Sequence, residues 1–301
     1  MNPTYQAQAE LLVQTIPSIA KETCFALKGG TAINLFYRNM PRLSVDIDLT
    51  YLGFEPRDIA RELICSALKR IAAALERGRM QVAIQGGGLE KKLIISNNSA
   101  SIKVEPNYTL RGHIYDVEVR SICPGAEQVY GFAEIALVSV PELYGGKICA
   151  ALDRQHPRDL FDISTYFSEA NVDSRLMHGF IAMLLSHNRP PYELVDPIIK
   201  NQQEVFTKEF IGMTDKNYSY ADHMAAFEQL CLFIRAGSAP FKELLTAFFS
   251  LEQASVPSLI PNLERLPAIQ WKLHNLRRLK ENNKKKFEHQ LERLKAYLET
   301  V

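Results

Sequence analysis

The chain has 301 residues, a formal net charge of +1 and five cysteines. The near-neutral charge excludes a wholly basic nucleic-acid-binding protein, so any such surface has to come from local clustering of cations. The cysteines are odd in number and never spaced as CxxC, which argues against a disulfide framework or a zinc site. The N-terminus lacks a signal-peptide pattern, and no apolar run approaches the ~18–20 residues of a membrane span. We therefore expect a cytoplasmic protein that does not enter the membrane.

Hydrophobic periodicity predicts an α+β first half and an all-helical second half, with the change in composition near residue 170. In the first half we predict helices over residues 5–16, 31–38 and 57–77, and strands over residues 24–27, 46–50, 80–84, 93–96, 102–105 and 114–119. Residues 131–138 lead into a further series of predicted helices over residues 139–152, 158–167, 174–187, 197–208, 220–235, 239–251 and 263–299. The triple glycine at 86–88 predicts a hairpin turn, because no Lys-Ser/Thr ending of a phosphate loop follows it.

Two aspartates on one predicted strand form the strongest chemical signal. Asp46 and Asp48 alternate with Val45, Ile47 and Leu49, and residues two apart on a strand point to the same face. Two carboxylates so close repel each other unless a cation lies between them, and Mg²⁺ prefers carboxylate and phosphate oxygens. The alternative is a pair of solvated acids at the end of a strand.

A glycine turn precedes these acids. Gly29 and Gly30 open a helix at about Thr31, where backbone N–H groups and the helix dipole can receive an anion. Ser44 lies two residues before Asp46 on the same strand face, where its hydroxyl serves either phosphate handling or only the entry of the strand. A phosphate site next to a metal site predicts that the protein binds a nucleotide.

Further charged residues are candidates for the same chemistry. Glu105 lies on a neighbouring predicted strand and would supply the third carboxylate of a two-metal site, although Lys103 on the same face could simply pair with it. Lys147 lies among small and apolar neighbours, where a point charge can neutralise a triphosphate. Asp159 and Asp162 occupy one helical turn, and either of them could instead balance the arginines nearby.

Four segments carry a resemblance to a known family. They are Lys28–Tyr37 (KGGTAINLFY), Arg42–Leu49 (RLSVDIDL), Pro141–Ala150 (PELYGGKICA) and Arg154–Ile163 (RQHPRDLFDI). Their order and spacing across residues 24–167 resemble the successive motifs of the AbiEii/AbiGii nucleotidyltransferase toxins, in the DNA polymerase β-like nucleotidyltransferase superfamily. The C-terminal helical half carries no motif of this kind.

The resemblance implies an α+β nucleotidyltransferase domain over residues 1–170, with a mixed β-sheet flanked by helices, and an all-α domain over residues 171–301. It implies two Mg²⁺ ions held by Asp46, Asp48 and Glu105. Catalysis would use both aspartates together with Lys147 and Asp159. The residues expected to bind the NTP substrate are Gly29, Gly30, Thr31, Ser44, Lys147 and Arg158.

Members of this family act as toxins of type IV toxin–antitoxin or phage-defence pairs, and some add nucleotides to tRNA 3′ ends and so stop translation. The resemblance therefore implies nucleotide transfer from an NTP to an acceptor, foremost the 3′ end of tRNA, and a cognate antitoxin as partner. The cations bunched between residues 272 and 286 provide either an RNA-binding surface or only a solvated helix face. Transfer to a protein hydroxyl, a metal-dependent nuclease and a non-catalytic binding module remain as alternatives.

Overall fold

The computed structural model describes residues 3–168, 172–252 and 260–301, and these form two compact units. The first, called here the sheet unit, contains residues up to 139 and residues 211–217. The second, the helical unit, contains residues 140–210 and 218–301 within the described ranges. Composition alone predicts a boundary near residue 170 instead, so the limits of the nucleotidyltransferase domain stay a prediction. Within the described residues, no helix is long and apolar enough to cross a bilayer.

The sheet unit is built on a seven-stranded mixed sheet with the strand order β3-β4-β5-β2-β1-β7-β6. Its strands are β1 (Phe25–Lys28), β2 (Asp46–Tyr51), β3 (Gln81–Gln85), β4 (Lys92–Ser96), β5 (Ser101–Asn107), β6 (Glu118–Ser121) and β7 (Glu134–Leu137). Its helices are α1 (Pro3–Ile19), α2 (Gly29–Thr31, continued by a π-helical segment Ala32–Tyr37), α3 (Arg57–Arg77) and α4 (Pro124–Tyr130). Strand β2 lies near the centre, antiparallel to β1 and parallel to β5.

Side-chain alternation determines which face of β2 is buried. Ile47 and Leu49 are fully buried, whereas Asp46 and Asp48 lie half-buried on the other face. The 211–217 segment fixes the chain just before β2, because Leu43 N–H donates to Met213 O at 3.0 Å. The alternation predicted from the sequence is therefore confirmed.

Most of the other elements predicted for the sheet unit form, and one predicted strand is wrong. The helix predicted over 57–77 forms as α3, and the triple glycine turns the chain between antiparallel β3 and β4. The strand predicted over 114–119 is wrong, since β6 occupies Glu118–Ser121. This edge strand is mostly exposed and polar, so it lacks the apolar alternation that marks a half-buried strand. Helix α4 and strand β7 were not predicted, and β7 is only four residues long.

The helical unit contains nine α-helices in its described part. They are α5 (Val140–Arg154), α6 (Pro157–Phe167), α7 (Leu176–Ser186), α8 (Tyr192–Val195), α9 (Gln203–Val205), α10 (Tyr220–Ser238), α11 (Lys242–Ser250), α12 (Pro267–Asn282) and α13 (Lys284–Glu299). Helices α5 and α7 cross closely at two glycines: a Cβ on Gly145 would lie only 2.2 Å from the carbonyl carbon of Gly179. Backbone packing therefore explains the small residue Gly145 beside Lys147.

Two predicted helices of this unit are wrong. Residues 197–202 are not helical, because the buried Gln155 amide binds this backbone by donating to Ile198 O and accepting from Lys200 N–H, both at 2.8 Å. The helix predicted over 263–299 is interrupted at Asn283, which has φ −152° and ψ 72°. The Asn283 side chain accepts a hydrogen bond from Lys286 N–H at 3.0 Å and so caps α13.

Candidate active site

The two acids of β2 lie between basic residues on the neighbouring strands. Asp48 is paired across the sheet with Lys28 on β1 and with Glu105 on β5, and Asp46 is paired with Lys103. Directly paired residues point their side chains to the same face, so these charged groups share one face of the sheet. Burial lowers the pKa of Lys28, and the negative charge of Asp48 partly opposes that shift.

The glycine turn lies directly against Asp48. Gly29 has φ +76°, in the left-handed region, and a Cβ added there would lie 2.4 Å from Asp48 Oδ2. A Cβ on Gly30 would lie 2.8 Å from both Arg42 Nη2 and Ser44 Oγ. The two glycines thus allow the backbone to approach the acid, the arginine and the serine more closely than any side chain permits.

Thr31 joins this turn to β2. Its fully buried hydroxyl donates to the main-chain carbonyl of Asp46 at 2.5 Å and lies 3.1 Å from Ser44 Oγ. The hydroxyl therefore holds the start of the helix against the strand that carries the acids. Of the predicted phosphate-binding residues, the structure brings Gly29, Gly30, Thr31 and Ser44 together.

Glu105 forms ion pairs with two lysines. Its carboxylate lies 2.8 Å from Lys103 Nζ and 3.5 Å from Lys92 Nζ, and each of the three side chains is a little over one third exposed. The hydrogen bond that Lys103 donates to Glu105 raises the pKa of Lys103. Among the residues that the structure describes, no three His, Cys, Asp or Glu side chains converge as a metal-binding group. Glu105 thus forms the ion pair with Lys103 that the sequence offered as the alternative to metal binding.

A second charged cluster lies within the helical unit. Lys147 on α5 contacts Asp159 Oδ1 at 2.9 Å and Asp162 Oδ2 at 3.1 Å, and its side chain is only 9% exposed. Arg154 also binds Asp159, with Nε 2.5 Å from Oδ2 and Nη2 3.0 Å from Oδ1. Burial alone would raise the pKa of Asp159, but Lys147 and Arg154 more than offset this and hold it well below its usual range.

Arg158 lies at the start of α6 beside a histidine cap. Its backbone N–H donates to His156 Nδ1 at 3.2 Å, and His156 Nε2 lies 3.1 Å from Glu209 Oε2. Burial lowers the pKa of His156, an effect opposed by its hydrogen bond with Glu209. The Arg158 side chain is half-buried.

Two cations of the sheet unit lie at the site although no role was predicted for them from the sequence. Arg42 is buried beside Gly30, and its Nη1 donates to Leu43 O at 2.8 Å. Its signal was present in the sequence, since Arg42 extends the two-residue spacing of Ser44, Asp46 and Asp48. Lys28 immediately precedes the glycine turn, and its position directly across from Asp48 became visible only with the pairing of β1 and β2.

A mixed sheet whose central strand presents two acids against a glycine turn is the arrangement expected of a nucleotidyltransferase. The family model described as "Nucleotidyl transferase AbiEii toxin, Type IV TA system" matches residues 10–259, and the chain belongs to this family. Its fold is similar to that of MenT4, the nucleotidyltransferase toxin Rv2826c from Mycobacterium tuberculosis H37Rv, with a TM-score of 0.55 and 16% sequence identity. That match covers 90% of this chain and 93% of the MenT4 chain. No curated protein matches the sequence.

These findings confirm the family and the fold class that the motifs predicted. The chain is a nucleotidyltransferase toxin of a type IV toxin–antitoxin system, and membership of that family implies an antitoxin partner.

Proposed function

We propose that the protein transfers a nucleoside monophosphate from an NTP to the 3′ end of an RNA, with tRNA as the acceptor, and that the reaction requires Mg²⁺. One observation carries the proposal: the Asp48 carboxylate lies against the Gly29 turn, which would put a carboxylate ligand next to a backbone anion site. In the reaction the acceptor hydroxyl gives up its proton to solvent as its oxygen bonds to the α-phosphorus, the bond from the α-phosphorus to the β-phosphate oxygen breaks, and pyrophosphate leaves. Such a transfer depends on positioning and charge neutralisation more than on covalent chemistry by the protein.

The residues of the sheet unit fit a divalent cation and a triphosphate. Asp46 and Asp48 present hard oxygen donors on one half-buried face, which suits Mg²⁺ held by two carboxylates and by substrate phosphates. Bound there, Mg²⁺ would acidify the acceptor hydroxyl and neutralise charge on the departing pyrophosphate. The first-turn N–H groups from Gly29 to Thr31 would bind a phosphate, since the start of a helix presents such donors to an anion. Glu105 would join as a third ligand only by giving up its lysine pairs.

In the helical unit we assign Lys147 to the triphosphate and Asp159 to positioning Lys147. The assignment of Asp159 rests on its contacts with Lys147 and Arg154, which hold both cations in place. Asp162, which lies on α6 like Asp159, also orients Lys147. Arg158 is assigned to the nucleotide, and Ser44 supports the turn through its contact with Thr31.

The proposal is tested by incubating the protein with Mg²⁺, total RNA and each of the four α-labelled NTPs. We expect label on tRNA-sized RNA with a matching release of pyrophosphate, and no label after EDTA treatment. Asp48→Asn should remove the activity, whereas the control Asp58→Asn, at an exposed position on α3, should leave it unchanged. Label on protein alone would identify a protein acceptor, and shortened RNA without incorporation would identify a nuclease; either result would overturn the proposal.

A further inference from the structure

The interruption at Asn283 brings a concentration of positive charge to the turn between α12 and α13. We call this the basic turn. Its members are six exposed cations: Arg277, Arg278, Lys280, Lys284, Lys285 and Lys286. An unbroken helix would instead have spread these charges along and around one rod, about 1.5 Å per residue.

The charge here contrasts with the rest of the chain. Residues 271–286 contain seven lysines and arginines and one acid, a net +6, so the remainder of the chain, with +1 overall, carries −5. Lys272 is the seventh cation but is not part of the surface, because it is buried and its Nζ donates to His187 O and Arg189 O at 2.7 and 2.9 Å. A polyanion is therefore attracted to this turn more strongly than to a chain remainder whose net charge is negative.

Acidic side chains neutralise little of the basic turn. Lys284 pairs with Glu288 at 3.6 Å on an exposed face, and Lys280 lies 5.4 Å from the centre of the Phe287 ring. For the other four cations, no ion pair is found within the described part of the chain. Exposed pairs such as the one at Lys284 are weak and screened by salt, so the positive charge remains available.

An exposed aromatic pair continues from the basic turn along α12. The rings of Trp271 and His274 stack with centroids 5.6 Å apart and an interplanar angle of 23°, and Trp271 is 47% exposed. Positions 271, 274 and 278 are spaced i, i+3 and i+7, so the aromatic pair and Arg278 lie on one face of the helix. The apolar residues of the hairpin, including Leu276, Phe287 and Leu294, are buried instead.

We propose that this face of α12 and the basic turn bind the single-stranded part of the acceptor RNA, an inference that rests on the proposed function. The cations contact backbone phosphates, and Trp271 stacks on a base. Cations next to an exposed aromatic ring suit a single-stranded nucleic acid, which offers both phosphates and unpaired bases. An acidic protein, such as an antitoxin, could also cover the cations and the rings, and it is therefore one of the outcomes of the test below.

The single tryptophan of the chain makes Trp271 a direct reporter. Asp48→Asn protein, in which we expect turnover to be lost, is titrated with a 12-nucleotide single-stranded RNA. We expect quenching of tryptophan emission with the same midpoint as the anisotropy of the fluorescein-labelled RNA. In that background Trp271→Ala should weaken binding about tenfold, and Trp271→Phe much less.

Charge is tested by a triple variant, Arg278→Gln with Lys285→Gln and Lys286→Gln. We expect RNA binding to weaken at least about tenfold at 0.1 M salt, and the slope of log K against log salt to fall by about 2, since each lost phosphate contact removes roughly 0.7. The matched control removes three exposed cations of the sheet unit, by Lys21→Gln, Lys69→Gln and Arg77→Gln, and should change binding less than twofold. Circular dichroism verifies that both triple variants fold.

The outcomes separate this inference from the proposed function. The inference is overturned if tryptophan emission does not change when RNA binds and both triple variants bind RNA with equal affinity. This holds even if wild-type protein labels RNA. Quenching and charge dependence without any nucleotide transfer support the surface and contradict the function. Absence of RNA binding, with antitoxin binding weakened by the basic-turn variant alone, would assign the surface to the antitoxin and overturn the inference.

Discussion

Gly29→Ala tests whether the glycine turn determines the position of Asp48. At φ +76° an L-residue costs about 1–2 kcal/mol, so the melting temperature should fall by roughly 2–4 °C. The added Cβ would lie 2.4 Å from Asp48 Oδ2, and an ordinary contact requires the carboxylate to move by about 1 Å. A misplacement of about 1 Å in a reacting constellation can cost roughly a hundredfold in rate. We therefore expect a small loss of stability and about a hundredfold loss of transfer.

The measurements are thermal unfolding and initial rates of label transfer from the preferred NTP. Gly87→Ala is the matched control, because a Cβ there meets nothing within 4 Å. It should leave both the rate and the melting temperature nearly unchanged. If Gly29→Ala retains the wild-type rate while losing the expected stability, the carboxylate tolerates displacement, and the close approach of the turn to Asp48 is not what positions the acid.

Three further perturbations follow from the charged groups. Glu105→Gln should lower the rate of transfer about fivefold or less, because the partly exposed ion pairs of Glu105 with Lys92 and Lys103 are worth about 1 kcal/mol. A loss as large as that of Asp48→Asn would make Glu105 a metal ligand. Asp159→Asn should lower the free energy of unfolding by about 2 kcal/mol at pH 7, as measured in urea, since it removes a buried partner of Lys147. Because the pKa of Asp159 is lowered in the folded state, its ionised form stabilises the fold above the unfolded-state pKa of ~3.9, and this contribution is lost as the pH falls toward the folded-state pKa. The difference in unfolding free energy between wild type and Asp159→Asn should therefore be smaller by about 1 kcal/mol at pH 3 than at pH 7. An equal difference at both pH values contradicts this. NTP at a hundred times its Kd should stabilise the folded protein by about 2.7 kcal/mol, and EDTA should remove this stabilisation. Stabilisation that persists in EDTA would show that the NTP binds without a metal.

The accuracy of the sequence predictions depended on how each element is stabilised. Helix α3 was predicted because its apolar spacing is local and sustained over 21 residues. Strands β6 and β7, of four residues each, pair with each other, and β7 also pairs with β1, which is distant in sequence; their own residues carry little signal. The end of α12 depends on Asn283, which caps α13 through a side-chain contact that apolar periodicity does not register.

The candidate site divides in the same way. Alternation alone places Asp46 and Asp48 on one face, and the glycine spacing places a turn before them. That Asp48 meets Gly29 follows from the antiparallel register of β1 and β2, which the sequence does not specify. The environment of Lys147 was predicted only in part: its burial was anticipated from small neighbours, but its two aspartate partners come from the packing of α5 against α6.

The basic residues around β2 change the electrostatic argument for a metal. Repulsion between Asp46 and Asp48 suggests a cation, yet Lys28 and Lys103 lie on the same face on the flanking strands. Counting Glu105 and Lys92 as well, three carboxylates face three ammonium groups, and the buried Arg42 beside Gly30 adds one further positive charge. Charge repulsion therefore does not require a metal for folding. Metal affinity at this face has to come chiefly from the phosphates of the NTP, which add negative charge and further oxygen ligands, so Mg²⁺ should bind far more tightly with NTP than without it.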